Sequence, residues 1–284
     1  MKQNQFLFVE IISALFLLII FFGNFLGLLF ISDGNTLISL AVSLILIVCY
    51  YFLVQQLTNK KEVTMNAKFP HFSHLLWIGF LLLGIITFFL TAHFVNIEYN
   101  AKQAIQSEVN YKLSLVESFP EQYEKRAKKD MQNYQVQIQS TSSQPIALAR
   151  VAPMQIVVDQ NLLKLKKNID AENTKFKYVF ENWKWFSLMS NYNKIDAYVD
   201  SNIVQVNQKL MLLPLDKSAL SNIRFSKSIL PLNNPLELNK QFHPNQTLPL
   251  AIVLISHLFI LIPFFAKPIP KRAKGEEPQG AVIL

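Results

Sequence analysis

Glycine is scarce in this chain, cysteine is nearly absent, and no signature of catalysis occurs. Seven glycines in 284 residues leave no GxxxxGK[ST] or GxGxxG phosphate loop, and neither GxSxG nor HExxH is present. The apolar stretches carry no paired acids or bases, so the parts of an intramembrane protease or a proton pump are missing. The one cysteine, Cys49, sits inside an apolar run. A disulfide-stapled domain is therefore excluded, and any region outside a membrane must be held by packing alone, which suits a bacterial periplasm. No cofactor, no metal and no nucleic-acid partner is expected.

What is present is apolar length. The 51% hydrophobic content gathers into Phe6 to Ile31, Leu37 to Leu57, Phe72 to Val95 and Leu248 to Ala266. Each is close to the ~20 residues needed to cross a hydrocarbon core. The expected fold class is an all-α integral membrane protein: four transmembrane helices, with a helical-bundle extracytoplasmic domain inserted between the third and fourth spans. The domain reading is 1–71 for an N-terminal transmembrane hairpin and its loop, 72–95 for the third span, 96–247 for the outer region, 248–266 for the fourth span and 267–284 for a tail.

Charge sets the orientation. Lys2, Lys60, Lys61, Lys68, Lys267, Lys271, Arg272 and Lys274 flank the spans on one side, whereas the turn Ser32 to Thr36 has no basic residue and one acid, Asp33. Counted over short loops, this is the positive-inside asymmetry. It predicts a bacterial inner membrane protein with both termini cytoplasmic and residues 96–247 periplasmic. The first span is too long for a signal-peptide core and lacks a small-x-small cleavage site, so it reads as an uncleaved anchor.

Within the first span, Gly23 and Gly27 form a GxxxG pair around Asn24. Small residues at this spacing let helices approach closely, and an in-membrane Asn seeks a partner across the contact. The favoured partner is the chain's own second span; the alternative is a self-association face. Tyr50 and Tyr51 close the second span and Trp77 opens the third, as interfacial anchors. His71 and His74 lack further ligands for a metal. His93 and His257 lie at depths that differ by on the order of 10 Å, which excludes a haem held between them.

Beyond the third span the sequence predicts a stalk. Ile97, Ala101, Ile105, Val109, Val116 and Phe119 keep a helical stripe, and residues 97 to 118 would carry the chain roughly 30 Å at about 1.5 Å per residue. Ser118 and Glu121 read as a capping box with Pro120 in the first turn, opening a helix striped by Tyr123, Ala127, Met131, Tyr134 and Ile138. Residues 146–159 fit a short strand or a helix start. Leu162, Leu165, Ile169, Phe176, Val179, Trp183 and Phe186 then fall on a and d positions of almost four heptads, placing Trp183 in a core. Tyr178 and Trp185 lie off that seam and are candidates for partner contact. Asn191 to Asn193 read as a break before a helix carrying Ile195, Val199, Ile203, Val206 and Leu210, whose Asp196 and Asp200 read as a solvated face. From Leu212 to Leu248, four prolines and Asn-rich turns predict a strap over the bundle. The apolar C-terminus, Val282, Ile283 and Leu284, follows a polar spacer and is a candidate for strand addition to a partner.

A short first outer loop and a large second one are similar in layout to tetraspanins; their Cys-Cys-Gly motif is absent, so nothing of their function follows. The function expected is a non-enzymatic, membrane-anchored scaffold or assembly subunit of a cell-envelope complex. Its partners would be other membrane or envelope proteins, the lipid bilayer, or a second copy of the chain. An oligomeric channel or transporter subunit is the first alternative, and a sensory accessory subunit relaying an outer signal to a separate cytoplasmic protein the second.

Overall fold

The computed structural model of the chain describes residues 3–61, 70–215, 225–228 and 230–267. Every described element is a helix. In chain order these are α1 (Gln3–Ile31), α2 (Thr36–Asn59), α3 (Pro70–Asn96), a π-helical turn (Ile97–Ala101), α4 (Lys102–Glu117), α5 (Phe119–Gln139), α6 (Gln144–Glu181), α7 (Trp185–Met211), α8 (Pro235–Phe242), α9 (Thr247–Ile260) and α10 (Ile262–Ala266). Four of the helical stretches are long and apolar enough to cross a membrane: Phe8–Ile31, Thr36–Asn59, the one beginning at His74, and Thr247–Ala266. The described residues group into two compact units. Residues up to 32, 36–96 and from 243 onward make the first; residues 33–35 and 97–242 make the second.

In the first unit α1 lies against α2, α3, α9 and α10. Its GxxxG pair meets α3, not the second span that the sequence favoured. A Cβ on Gly27 would collide with the Leu90 carbonyl, and one on Gly23 would come within 2.8 Å of the Thr91 hydroxyl. The small-residue face therefore packs inside this chain, with Asn24 Nδ2 donating to Thr87 Oγ1 at 3.3 Å. Tyr50 likewise departs from the expected position. The α2 helix runs nine residues past it to Asn59, and Tyr50 is fully buried among Ile20, Val54, Phe80 and Ile260 instead of anchoring a boundary. Its neighbour Tyr51 is exposed. Trp77 packs edge-on against Phe80 and Phe264.

In the second unit α4 and α5 form one column facing α6 and α7. The stripe read from the sequence holds: Ile97, Ala101, Ile105, Val109, Val116 and Phe119 are all buried. That burial removes the stalk, because α4 is packed against α6 and α7 as part of the bundle core. The α4–α5 junction falls at Ser118 as expected, but no capping box forms. Ser118 stays helical, and its hydroxyl donates back to Leu115 O at 2.6 Å.

The long α6 helix corrects the register. From Val158 onward its buried positions are Val158, Leu165, Ile169, Asn173, Phe176 and Phe180, with Leu162 half-buried. This is an eleven-residue rhythm of about 3.67 residues per turn, which a 3.5-residue heptad falls behind within a few turns. Asn173 and Phe180 thus occupy the places assigned to Glu172 and Val179, and Phe186 is exposed. The region 146–159 is helical throughout, with Pro145 in the first turn, where its missing N–H is harmless. The chain turns at Asn182–Lys184, and Asn191 to Asn193 lie inside α7. The expected strap contains α8, and Leu232 and Leu238 are buried; Ile223 and Ile229 lie outside the described residues.

Candidate functional site

The turn that ends α6 is built on strain. Asn182 Nδ2 donates to Tyr178 O at 2.9 Å, the Lys184 N–H reaches Val179 O at 2.9 Å, and between them Trp183 takes φ of 48°. A bulky residue in the left-handed region costs on the order of 1–3 kcal/mol and persists only where its surroundings fix it. Here one carboxylate does so. Glu98, in the π-helical turn, accepts from Trp183 Nε1 at 2.5 Å and from Trp185 Nε1 at 3.1 Å on one oxygen, and from Lys102 Nζ at 3.3 Å on the other. Lys102 also stands 4.8 Å over the Trp183 ring, and Lys184 5.2 Å over that of Tyr178. Together with Phe186 these side chains line an open basin of about 850 Å³. π-Helical turns inside α-helices are frequent at functional sites, and this one aims Glu98 at two indoles.

A second unusual surface lies on the N-terminal half of α6. Ile146, Ala149, Pro153 and Ile156, with Val157 beside them, recur at i, i+3, i+7 and i+10, and all are exposed. The opposite face carries Ala147, Val151, Met154 and Val158, which supply the bundle's own core. This half-helix is therefore apolar on two faces and covered on one. Against its edge, Pro153, Val157, Leu212 and Pro214 help to line a groove of about 200 Å³ floored by Tyr123.

Between α4 and α7 lies a charged cluster. Lys112, 1% exposed, donates to Glu108 Oε1 at 2.6 Å, Asp196 Oδ1 at 2.7 Å and Ser228 Oγ at 2.7 Å. Tyr192 donates to the other Glu108 oxygen at 2.8 Å, and the Ser228 N–H to the other Asp196 oxygen at 2.7 Å. Burial alone would raise the Asp196 carboxyl, but the Lys112 ammonium and the Ser228 N–H hold it below its ordinary value. Burial, reinforced by Glu108, pushes the Tyr192 phenol up. Asp196 is thus no solvated face: it ties residues 225–228 to the bundle. Asp200, one turn on, is exposed.

The polar residues of the first unit also converge. Asn24 donates to Thr87, the Thr87 and Tyr50 hydroxyls are 3.0 Å apart, and Tyr50 Oη is 2.8 Å from His257 Nε2. His257 Nδ1 lies 2.7 Å from the Val253 carbonyl, which can only accept. Nδ1 therefore carries the proton, Nε2 accepts from Tyr50, and the donors run in one direction through all four residues. Asn24 Oδ1 is buried without a partner among the described residues.

Of the residues singled out from sequence, Tyr178 (59% exposed) and Trp185 (38%) come together on the rim of one basin. Gly23, Asn24 and Gly27 share the α1–α3 contact. Val282, Ile283 and Leu284 lie outside the described residues. Glu98 and the outward stripe on α6 were missed. The stripe had a signal, the 3-4-3 spacing of Ile146, Ala149, Pro153 and Ile156; Glu98 had none, since its partners are 85 and 87 residues away. No protein family, no curated protein and no solved structure matches this chain.

Proposed function

We propose that this chain is a non-enzymatic, membrane-anchored scaffold or assembly subunit of a cell-envelope complex, with residues 96–247 outside the cytoplasmic membrane and both termini inside. The reading is carried by the outward stripe on α6. An amphipathic helix buries one apolar stripe; a second one left in water is the mark of a helix that receives a partner. Ile146, Ile156 and Val157 supply the apolar contact, and Ala149 lets a second helix approach closely. The adjoining groove at Pro153 and Leu212 takes a side chain of that partner, as a central anchor does in other interfaces. The partner is another envelope protein or a second copy of this chain. The basic residues that flank the apolar helices, Lys60, Lys61 and Lys267, support the orientation.

The test is affinity capture with the tagged full-length chain in mild detergent. Ile156→Asp buries a charge in any helix–helix contact formed there and should abolish capture, while Lys166→Glu on the solvated face should leave it unchanged. Both variants should keep the wild-type thermal unfolding. Capture that survives Ile156→Asp would remove the stripe from the interface. A chain that purifies alone and renders vesicles permeable to ions would replace the scaffold with the channel.

A further inference from the structure

The basin around Glu98 has a different composition from the α6 stripe. Its exposed rim is Tyr178, Trp185 and Phe186, with Lys102 and Lys184 as the cations beside it. Tryptophan, tyrosine and lysine together are what proteins place at headgroup level, where a ring takes the apolar side and its polar edge stays wet.

The chain itself fixes how far this basin can lie from an apolar helix. Glu98 is two residues beyond Asn96, the last residue of α3. Two residues reach at most about 7 Å. The indoles of Trp183 and Trp185 are hydrogen-bonded to the carboxylate of Glu98. Both rings are therefore held within a few side-chain lengths of the end of α3, however the two units are arranged. A second tether acts from the turn between α1 and α2. The Asp33 carboxylate accepts from Asn193 Nδ2 at 3.3 Å and from Asn233 Nδ2 at 3.2 Å, and Gly34 fits against the Ser190 backbone with φ of 82°. Those contacts keep the first turns of α7, which begins at Trp185, close to the chain that joins two further apolar helices.

We infer that the Tyr178–Trp185–Phe186 basin is a lipid-headgroup seat, resting in the interface of the bilayer that holds this chain's own apolar helices, with Lys184 on a lipid phosphate. It rests on those helices lying in a bilayer. Glu98 does not repel the phosphates, because its charge is taken up by Lys102 and the two indole N–H groups. The left-handed Trp183 acquires a purpose in this setting: the turn throws Trp185 and Phe186 outward while its own ring stays under Lys102. A protein partner on the same basin would need no cations beside the aromatics and no short leash to an apolar helix.

The experiment uses the full-length chain in nanodiscs containing anionic and zwitterionic phospholipid. Trp77→Phe with Trp183→Phe leaves Trp185 as the single indole; the complementary variant, Trp183→Phe with Trp185→Phe, leaves Trp77. Trp185 emission should be blue-shifted and lost to a nitroxide carried on the lipid headgroup, with little loss to a nitroxide deep in the acyl chain or to acrylamide in the water. A spin label on Phe186→Cys in a Cys49→Ser background gives the second readout, and it should collide with oxygen more than with a water-soluble nickel chelate. Lys184→Glu should weaken headgroup quenching of Trp185 in anionic discs more than in neutral ones. A Phe186→Cys label that collides with the nickel chelate more than with oxygen, in a chain that keeps Trp183 on Glu98, overturns the seat. So does protection of Trp185 from both headgroup nitroxide and acrylamide, which would assign the basin to a protein or to a second copy. Trp77 reports the premise separately: if neither the headgroup nitroxide nor the acyl-chain nitroxide changes its emission, it is the membrane placement that fails.

Discussion

The Tyr50 hydroxyl stands 2.8 Å from His257 Nε2, joining residues 207 positions apart. With Thr87 and Asn24 on the other side, one polar residue from each of α1, α2, α3 and α9 enters a single directed chain of donors. In an apolar surrounding each lost link leaves a group with no water to replace it. The measured worth of such bonds between membrane helices averages about 0.6 kcal/mol and reaches about 1.7. Tyr50→Phe breaks two links at once and should destabilise by about 1–2 kcal/mol in mixed-micelle unfolding. His257→Phe alone should cost less, and the double variant should cost less than the two singles together. Strict additivity would mean that the links do not cooperate.

Gly27 and Gly23 should not tolerate alanine equally. At Gly27 the added carbon meets the Leu90 backbone carbonyl, which cannot turn aside, whereas at Gly23 it meets the Thr91 hydroxyl, a rotatable group. Gly27→Ala should push α1 off α3 and cost roughly 1–3 kcal/mol, in the range of overpacked cores. Gly23→Ala should cost a fraction of that. Equal costs would show that α1 shifts as a rigid body at either site.

The contrast between those two glycines was invisible in the sequence, although the glycines were not. Long apolar runs announced α1, α2, α3 and α9, because a run near twenty residues has few other uses. Local periodicity gave the buried faces of α4 and α7, from Ile97 to Val116 and from Ile195 to Leu210. Periodicity misled along α6, where a 3.5-residue template drifts off a 3.67-residue stripe and lands on Glu172 instead of Asn173. It also cannot say which helix lies opposite, so Gly27 meets α3 where spacing points to α2, and Tyr50 fills a core where its place in the run points to a boundary. Lys112 with Asp196, and Glu98 with Trp183, are pairs made by tertiary contact 84 and 85 residues apart. Nothing in local spacing marks either.

Lys112 balances two carboxylates. Lys112→Met should leave Glu108 and Asp196 facing each other without a cation, at a cost of about 3–5 kcal/mol, the range for a buried pair that loses one partner. The pH dependence follows from Asp196, whose folded carboxyl lies below its ordinary 3.8. A depressed carboxyl stabilises the fold above its unfolded value, and that contribution is lost as pH falls through the folded one. Thermal melts of the wild type should therefore lose stability in acid below about pH 4, and Asp196→Asn should flatten that slope. An unchanged slope in Asp196→Asn would place the acid sensitivity elsewhere.

Trp183 and Trp185 share one hydrogen-bond acceptor and should respond unequally to truncation. Trp183 is buried, with Lys102 over its ring, and its N–H holds Glu98. Trp183→Ala opens a large cavity and removes the N–H that Glu98 accepts, so the loss should be about 3–5 kcal/mol, typical of a buried aromatic. Circular dichroism melts should broaden or lose cooperativity. Trp185→Ala removes a ring that is partly in solvent and a longer bond to the same carboxylate, and surface changes of this kind are usually within about 0.5 kcal/mol. Trp183→Gly tests the turn by itself: it loses the same packing but removes the left-handed strain of about 1–3 kcal/mol. It should therefore melt above Trp183→Ala. If glycine melts at or below alanine, the left-handed turn at residue 183 carries no strain.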